Sequence, residues 1–514
     1  MTAPRVSLSV GEWITLTAER YPDIPCFVYP DGSSHTFAQI NERVNQLADA
    51  MVSAGVRARD RVALLAVDSH RYAEAVLAAM KIGAVFMPIN WRLTSQEVAT
   101  LLERGAPTAL FHSHRYTELL PDTSSLRLVV DLDDADGHGK VYEDLLAAGS
   151  KSEPASTTAV SDDELFGLAF TSGTTGTPKG VMQSRRMIKH MVMSGLAEFH
   201  TEVGDVRYCA SPMFHVTGIN MILSGIARGF TSLITPQFDP DATADFLLRD
   251  QLTTCFLVPT MISMLLQRPE MAGGRYDRLK LMLYGAAPMS PALLRRAMDT
   301  FRCDFVNLFG AGTEAGLQTL LTIDDHRRAL AGEERLLGSI GKAATGVALR
   351  LTDDDMNDVP VGEIGEITTR SDMVMDGYLD MPEATDRSLR DGWFRAGDLA
   401  YRDPDGYLFL AGRKNDMIIR GGENIYPVEI ETVLAEHPAV ALVSVVGVAD
   451  EHWGETVRAW LVLRPGTSAE PDELATFCRA RLASYKVPAE FRIEEELPMN
   501  ASGKILKREL RNRP

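Results

Sequence analysis

Apolar residues recur at helical spacing over residues 11–21, 70–83 and 95–105, and short, nearly continuous apolar runs fall at 61–67, 84–89 and 107–111. Helix-spaced and strand-like segments thus alternate through the first 160 or so residues. That rhythm predicts βαβ units, and so a parallel sheet covered by helices. Another apolar run at 165–170 reads as a buried strand that opens into TSGTTGTPKG at 171–180. Residues 281–288, LMLYGAAP, read as a strand running into a Gly/Ala turn, and 338–346 and 361–369 as β-rich segments punctuated by glycine. Asp405-Gly406 between two apolar runs predicts a hairpin turn. Beyond residue 415 a smaller α/β pattern begins, with helices at 427–436 and 471–483 and strands at 440–448 and 458–463. A chain of 514 residues exceeds what one core organises. The expected division is a domain over 1–414 and another over 415–514.

Composition narrows the class. The hydrophobic share of 45% and charged share of 24% are those of an ordinary globular protein. A net charge of −18 argues against a nucleic-acid binder, which needs a basic face. Any polyphosphate site must therefore be locally basic against an acidic background. Cys26, Cys209, Cys255, Cys303 and Cys478 are scattered, which disfavours a zinc site or a disulfide framework and fits a reducing cytosol. No run reaches membrane-spanning length and no signal-peptide core is present. The expected location is cytoplasmic, with peripheral membrane contact left open. The acidic run 131–136 lacks EF-hand spacing, because Leu132 and Ala135 occupy positions that ligands would need. It reads as a solvated turn.

The chemistry concentrates at 171–180. Thr171, Ser172, Thr174, Thr175 and Thr177 offer hydroxyl donors, and Gly173, Gly176 and Gly180 let backbone N–H groups approach an anion. Lys179 adds a positive charge. This is a loop suited to a polyphosphate. It is not the usual P-loop, because Pro178 precedes the lysine where a glycine belongs, and Gly180 follows where a Ser or Thr belongs.

The segment TSGTTGTPKG resembles the nucleotide loop of the adenylate-forming enzymes: acyl- and aryl-CoA ligases, luciferases and peptide-synthetase adenylation domains. Further stretches are similar to that family in the same order: SPMFHVTG at 211–218, FVNLFGAGTEAG at 305–316, DGWFRAGDL at 391–399, and AGRKNDMIIRGGENIY at 411–426 followed by PMNASGK at 498–504. The resemblance covers the whole chain. It implies an α/β multi-domain fold, with a large N-terminal domain of two α/β subdomains plus a β-rich subdomain, and a small mobile α+β C-terminal domain.

The resemblance also implies residue roles. Thr171, Ser172, Gly173, Thr174, Thr175, Gly176 and Lys179 would hold the phosphates of ATP. Thr313 would bond a nucleotide phosphate. Glu314, with Thr171, would ligate Mg²⁺. Gly285, Ala286 and Ala287 would touch the adenine and the acyl group. In the Tyr-Gly-x-Thr-Glu motif this chain has Gly310 at the aromatic position, or else one residue is inserted and Phe309 stacks on adenine. Asp398 would accept from both ribose hydroxyls, and Arg413 would contact ribose and phosphate. Phe214, His215, Val216, Tyr284 and Gly316 would line the acyl pocket, His215 near the substrate carboxylate and without an acid/base role. Gly310 and Gly312 would leave room for a long or bulky acyl group. No Arg or Lys stands out there to pair with a second carboxylate. Gly421 and Gly422 would flank a coenzyme A tunnel, Asn415 would be the hinge, and Lys504 the catalytic lysine.

The implied reaction joins a fatty or aryl carboxylic acid to coenzyme A through an acyl-adenylate, with ATP, Mg²⁺ and coenzyme A as cofactors. Loading of a separate carrier protein and non-catalytic adenylate sensing are the alternatives. Homodimerisation is left open.

Overall fold

The computed structural model describes residues 8–133, 140–154, 160–171, 178–199, 201–287, 289–450, 452–499 and 505–513. Two compact units emerge. The first gathers Met1–Phe256, Gly310–Leu317 and Ser371–Leu389, and the second Leu257–Phe309, Gln318–Arg370 and Arg390–Pro514.

In the first unit, seven strands form one sheet in the order Gly377–Tyr378, Lys179–Ser184, Leu165–Thr171, Val85–Pro88, Arg61–Leu65, Ala109–His112 and Leu128–Asp131. Arg61–Leu65 runs parallel to both Val85–Pro88 and Ala109–His112, as the βαβ rhythm predicts. The crossovers are the helices His70–Lys81 and Ser95–Gly105. The second of these is delimited by its own sequence. Thr94 and Glu97 form a capping box, the Glu97 N–H donating to the Thr94 hydroxyl at 3.4 Å and Thr94 N–H to the Glu97 carboxylate at 2.8 Å. Caps of this kind stabilise a helix by about 1 kcal/mol. Val98, Leu101 and Leu102 of that helix are buried, the stripe that its apolar spacing prescribes.

Five further strands are neighbours in the order Thr254–Leu257, Val206–Cys209, Thr231–Leu233, Pro25–Val28 and Ser34–Thr36. The helix Val216–Arg228 follows Val206–Cys209 in the chain, and the core joins Ile219, Ile222, Leu223 and Ile226 to residues of the first 86 positions.

In the second unit, Leu281–Gly285 and Asp304–Phe309 pair in parallel and Thr319–Leu321 joins them antiparallel. An antiparallel β-rich part follows, with Ile364–Arg370 between Ala348–Thr352 and Trp393–Arg402, and Leu408–Arg413 on Trp393–Arg402. Its core is Ile340, Leu351, Ile367, Ala400 and Leu408. The C-terminal segment builds a further sheet on the long hairpin Val440–Asp450 and Gly454–Leu463. Ile418, Ile430, Leu434, Val445, Leu461 and Leu474 close a hydrophobic core there, built from residues between 418 and 491 among the described ones. No helix among the described residues is long and apolar enough to cross a membrane.

Candidate functional site

The strands that flank the expected nucleotide loop form a hairpin. Leu165–Thr171 and Lys179–Ser184 are antiparallel, with Thr171 directly opposite Lys179. A helix does not follow the loop, which is the structural counterpart of Pro178 standing where a P-loop has glycine. The Lys179 ammonium lies 4.7 Å from the centre of the Tyr378 ring, a placement that holds the cation at the base of the loop. Ser172, Gly173, Thr174, Thr175 and Gly176 lie outside the described residues, as does Lys504.

The Thr-Glu segment meets this hairpin. Thr171 Oγ1 donates to Glu314 Oε1 at 3.4 Å, across 143 positions of chain. The segment is fixed by its backbone: Gln183 Nε2 donates to the Thr313 carbonyl at 2.9 Å, and Met375 N–H to the Glu314 carbonyl at 2.7 Å. Thr313 and Glu314 belong to a single helical turn, Gly312–Ala315, ended by Gly316 at φ +61°. A half-buried carboxylate beside a hydroxyl offers oxygen ligands of the kind Mg²⁺ takes. That ion takes oxygen ligands, typically one or two carboxylates together with substrate phosphates and water.

Of the residues expected in an acyl pocket, Gly312 and Val216 lie against each other in the first unit. A Cβ built on Gly312 would stand 2.8 Å from Val216 Cγ1, and one on Gly316 3.0 Å from Met191 Cγ. His215 is the N-cap of Val216–Arg228, and its Nδ1 accepts from Thr217 N–H at 3.3 Å. Nδ1 is therefore unprotonated, and the ring proton belongs on Nε2. Burial pulls the His215 pKa down to about 4, so the ring is neutral at pH 7. Phe214 packs edge-on against Trp91, with ring centres 6.2 Å apart.

In the second unit Asp398 and Arg413 are register partners on the antiparallel pair. Arg413 Nε donates to Asp398 Oδ1 at 3.0 Å; the Asp398 side chain is 9% exposed and that of Arg413 51%. The aspartate is thus presented at the strand with a charge already beside it. Gly285 ends its strand in close quarters, because a Cβ there would lie 2.1 Å from the Leu308 carbonyl oxygen. Strand packing alone accounts for that glycine. Ala286 follows at φ +64°, a left-handed conformation costly for a residue with a Cβ, and Ala287 is half-buried.

Two expected residues of the second unit have partners within the protein. The Tyr284 ring is only 2% exposed, and its hydroxyl bonds His326 Nε2 at 2.9 Å. Phe309 packs against the β-rich core. Gly310, the gap-free alternative, is exposed.

Asn415 is exposed within the single turn Lys414–Asp416. Gly421 and Gly422, at φ +60° and +89°, form the two-residue turn between Ile418–Arg420 and Glu423–Ile425. Positive φ at both positions is what a tight hairpin of this hand requires.

Sequence reasoning passed over several residues that structure makes prominent. Trp453, 46% exposed, covers Gly421, where a Cβ would meet the indole at 2.7 Å. Lys414 pairs with Asp354 and lies 3.4 Å from the buried carboxylate of Glu366. Trp91 and Asp68 flank the 211–215 segment. Their only sequence signals are an aromatic and an acid at the ends of apolar strands.

With the geometry in hand, comparison with known proteins decides the class. A family model described as AMP-binding enzyme matches residues 14–379, and one described as AMP-binding enzyme C-terminal domain matches 429–504. The chain belongs to the AMP-binding enzyme family. It is 33% identical over 503 residues to the fatty acid–[acyl-carrier-protein] ligase ScoC of Streptomyces coeruleorubidus, covering 96% of this chain and 94% of that one. It is 35% identical over 505 residues to a feruloyl-CoA synthase of Amycolatopsis, covering 98% and 99%. A solved fatty acyl CoA synthetase of Mycobacterium tuberculosis superposes with a TM-score of 0.76 at 29% identity, covering 98% and 97%. This AMP-binding enzyme has the adenylate-forming fold, a large N-terminal α/β domain with a smaller C-terminal one, and is an AMP-forming ligase. ATP and coenzyme A are substrates of the family's CoA ligases.

Proposed function

We propose that this AMP-binding enzyme ligates a fatty or aryl carboxylic acid to coenzyme A in two steps. The observation that carries the reading is the approach of Glu314 to Thr171 at the foot of the nucleotide loop. An acid and a hydroxyl from distant segments converge where a polyphosphate loop begins, with Lys179 opposite.

In the first step a substrate carboxylate oxygen attacks the α-phosphorus of ATP. The bond to the β,γ-diphosphate breaks, giving acyl-AMP and pyrophosphate. No protein nucleophile is required, so the protein's task is placement and charge neutralisation. Thr171 and the loop hydroxyls bind phosphate oxygens, and Lys179 compensates charge on the leaving group. Glu314 and Thr171 would hold Mg²⁺, which supplies charge neutralisation at the phosphates. Asp398 orients the ribose, and Arg413 serves ribose and phosphate. Neutral His215, with a proton on Nε2, donates toward the acid's carboxylate end. Lys504 neutralises the charge developing between carboxylate and α-phosphate.

In the second step the coenzyme A thiol attacks the acyl carbonyl and AMP leaves. The 415–514 domain turns about Asn415, withdrawing Lys504 and bringing Gly421-Gly422 beside the thiol chain. The separate core between residues 418 and 491 supports a domain able to move as a body.

The choice among acids and thiol acceptors follows from one assay: pyrophosphate release with ATP, Mg²⁺ and a panel of fatty and aryl acids, with and without coenzyme A, on wild type and Lys504→Ala. The expected result is acid-dependent release with an acyl-CoA product, lowered about 10²–10³-fold in Lys504→Ala. Release without consumption of coenzyme A would transfer the second step to a carrier protein. Nucleotide binding without release for any acid would replace catalysis by sensing.

A further inference from the structure

The strand Trp393–Arg402 reaches Asp398 through an irregularity. It pairs with Ile364–Arg370 at Arg395 opposite Thr368 and again at Leu399 opposite Glu366. Between those matches lie residues 396–398 on one strand and Ile367 alone on the other. The extra residues bulge out of the ladder, which re-aims side chains and leaves backbone groups in need of other partners. Gly397 sits in the bulge at φ +71°, a left-handed conformation that a side chain would strain. The pairing with Leu408–Arg413 shifts as well, between Leu399 and Ala400. Asp398 is thus set on backbone that is irregular toward both neighbouring strands.

One side chain supplies what the ladder does not. Glu366 is 5% exposed and borders the bulge. Its Oε1 accepts from Gly397 N–H at 3.2 Å, at the residue immediately before Asp398. Its Oε2 accepts from Lys414 Nζ at 3.4 Å, at the residue immediately after Arg413, and from Arg395 Nε at 3.2 Å. Asp398 and Arg413 are themselves register partners and an ion pair. A single buried carboxylate therefore grips the chain next to both members of that pair. Burying a carboxylate is costly unless it is paired and hydrogen-bonded. Here both oxygens are engaged, and two of the three donors belong to residues that adjoin the pair.

We propose that Glu366 is a positioning residue for the nucleotide ribose: it sets the bulge that presents Asp398 and fixes the chain beside Arg413. Glu366 acts through Asp398, so the role rests on the reading of Asp398 as the acceptor of the ribose hydroxyls. The two oxygens of Glu366 have different tasks. A glutamine has one acceptor oxygen, so it serves Gly397 N–H or the two cations but not both. An aspartate keeps the charge near Arg395 and is one methylene short of spanning the two sides. Neither variant strips the cations of a counter-charge, because the exposed Asp354 carboxylate lies 3.5 Å from Arg395 Nη2 and also pairs with Lys414.

The test addresses the ribose hydroxyls directly. Full-length protein is titrated calorimetrically with ATP and with 2′,3′-dideoxy-ATP in the presence of Mg²⁺, and the thermal midpoint of each variant is recorded. Wild type is expected to bind ATP at least about tenfold more tightly than the dideoxynucleotide, since hydrogen bonds to a charged acceptor carry that much. Asp398→Ala is expected to remove the preference. Glu366→Gln and Glu366→Asp are each expected to shrink it by about three- to tenfold through weaker ATP binding, with the Kd for the dideoxynucleotide as in wild type. A lowered midpoint with both nucleotides weakened alike would make Glu366 structural and overturns the proposal. So does an unchanged preference in both Glu366 variants while Asp398→Ala loses it, a result that leaves the ribose role of Asp398 standing. A wild type indifferent to the hydroxyls overturns the role of Asp398, and that of Glu366 with it. Glu366→Asp decides the matter if Glu366→Gln fails to fold.

Discussion

The hairpin 165–184 of the first unit and the hairpin 393–413 of the second are both antiparallel pairs that carry candidate ligand residues, yet they are assembled differently. On the second, Asp398 and Arg413 are 15 positions apart, face each other in register, and already form an ion pair. On the first, Thr171 faces Lys179 locally, but its acid, Glu314, arrives from 143 positions away on a single helical turn. One site is local and pre-paired. The other exists only once the tertiary fold has closed. A substitution at the local pair is therefore felt mainly by its partner, whereas one at the assembled site removes a group that nothing nearby can replace.

The largest expected effect follows from that difference. Glu314→Gln keeps the size of the side chain and its backbone hydrogen bonds but removes the carboxylate. Acid-dependent pyrophosphate release is expected to fall about 10²–10³-fold, with the thermal midpoint nearly unchanged because a half-exposed surface group is involved. Raising Mg²⁺ concentration is expected to restore part of the rate. A midpoint drop parallel to the rate loss would make Glu314 structural.

The pre-paired site should respond more gently. A charge-assisted hydrogen bond contributes about 1.5–3 kcal/mol, so Asp398→Ala is expected to raise the KM for ATP by about 10–100-fold. Arg413→Ala is expected to cost less, because that side chain is half in water and exposed charges are screened. The double variant tests the pairing itself. If the two residues act as one unit, the combined loss falls short of the sum of the single losses. Strict additivity would mean that the pair seen in the structure has no bearing on nucleotide binding.

Gly312 offers a smaller and more selective probe of the assembled site. A methyl group there lies 2.8 Å from Val216 Cγ1, so Gly312→Ala displaces one proposed pocket residue without touching a charge. One methylene in an apolar pocket discriminates by about 1–3 kcal/mol. The ratio of kcat/KM for the bulkiest accepted acid to the smallest is expected to drop roughly tenfold, with the KM for ATP unchanged. An equal loss for every acid would place Gly312 in backbone support rather than in selection.

How much of this was legible beforehand depends on the same local/distant distinction. The helix over 95–105 announced itself through its apolar spacing, and the structure reproduces those bounds. The Asp405-Gly406 turn and the strand before Thr171 were equally readable, because turn chemistry and apolar runs are local facts. The compact units were not. The first recruits residues 310–317 and 371–389 from far along the chain, a choice that only long-range packing makes. The hairpin formed by the strands that flank the expected nucleotide loop was hidden for a related reason: the strand Lys179–Ser184 contains Gly180 and Gln183 and carries no strong alternation. Asp68 left only an acid at the end of an apolar strand, which looks like any other polar interruption.

Tyr284 gives the smallest effect. The motif placed it in the acyl pocket, but its environment is a closed hydrogen-bond relay. His326 Nδ1 bonds the Thr322 carbonyl at 2.7 Å, which fixes the proton on Nδ1 and leaves Nε2 as an acceptor for the Tyr284 hydroxyl. Burial lowers the His326 pKa to about 4, so the ring stays neutral and the relay intact at pH 7. Tyr284→Phe leaves that buried nitrogen without a donor, at a cost of about 1–3 kcal/mol in stability, readable by denaturant unfolding at pH 7. Because the hydroxyl is turned to His326, the KM for the acid and the order of preferred acids are expected to stay as in wild type. A change in acid preference with no loss of stability would return Tyr284 to the pocket and would mean that the hydroxyl leaves His326 when the acid binds.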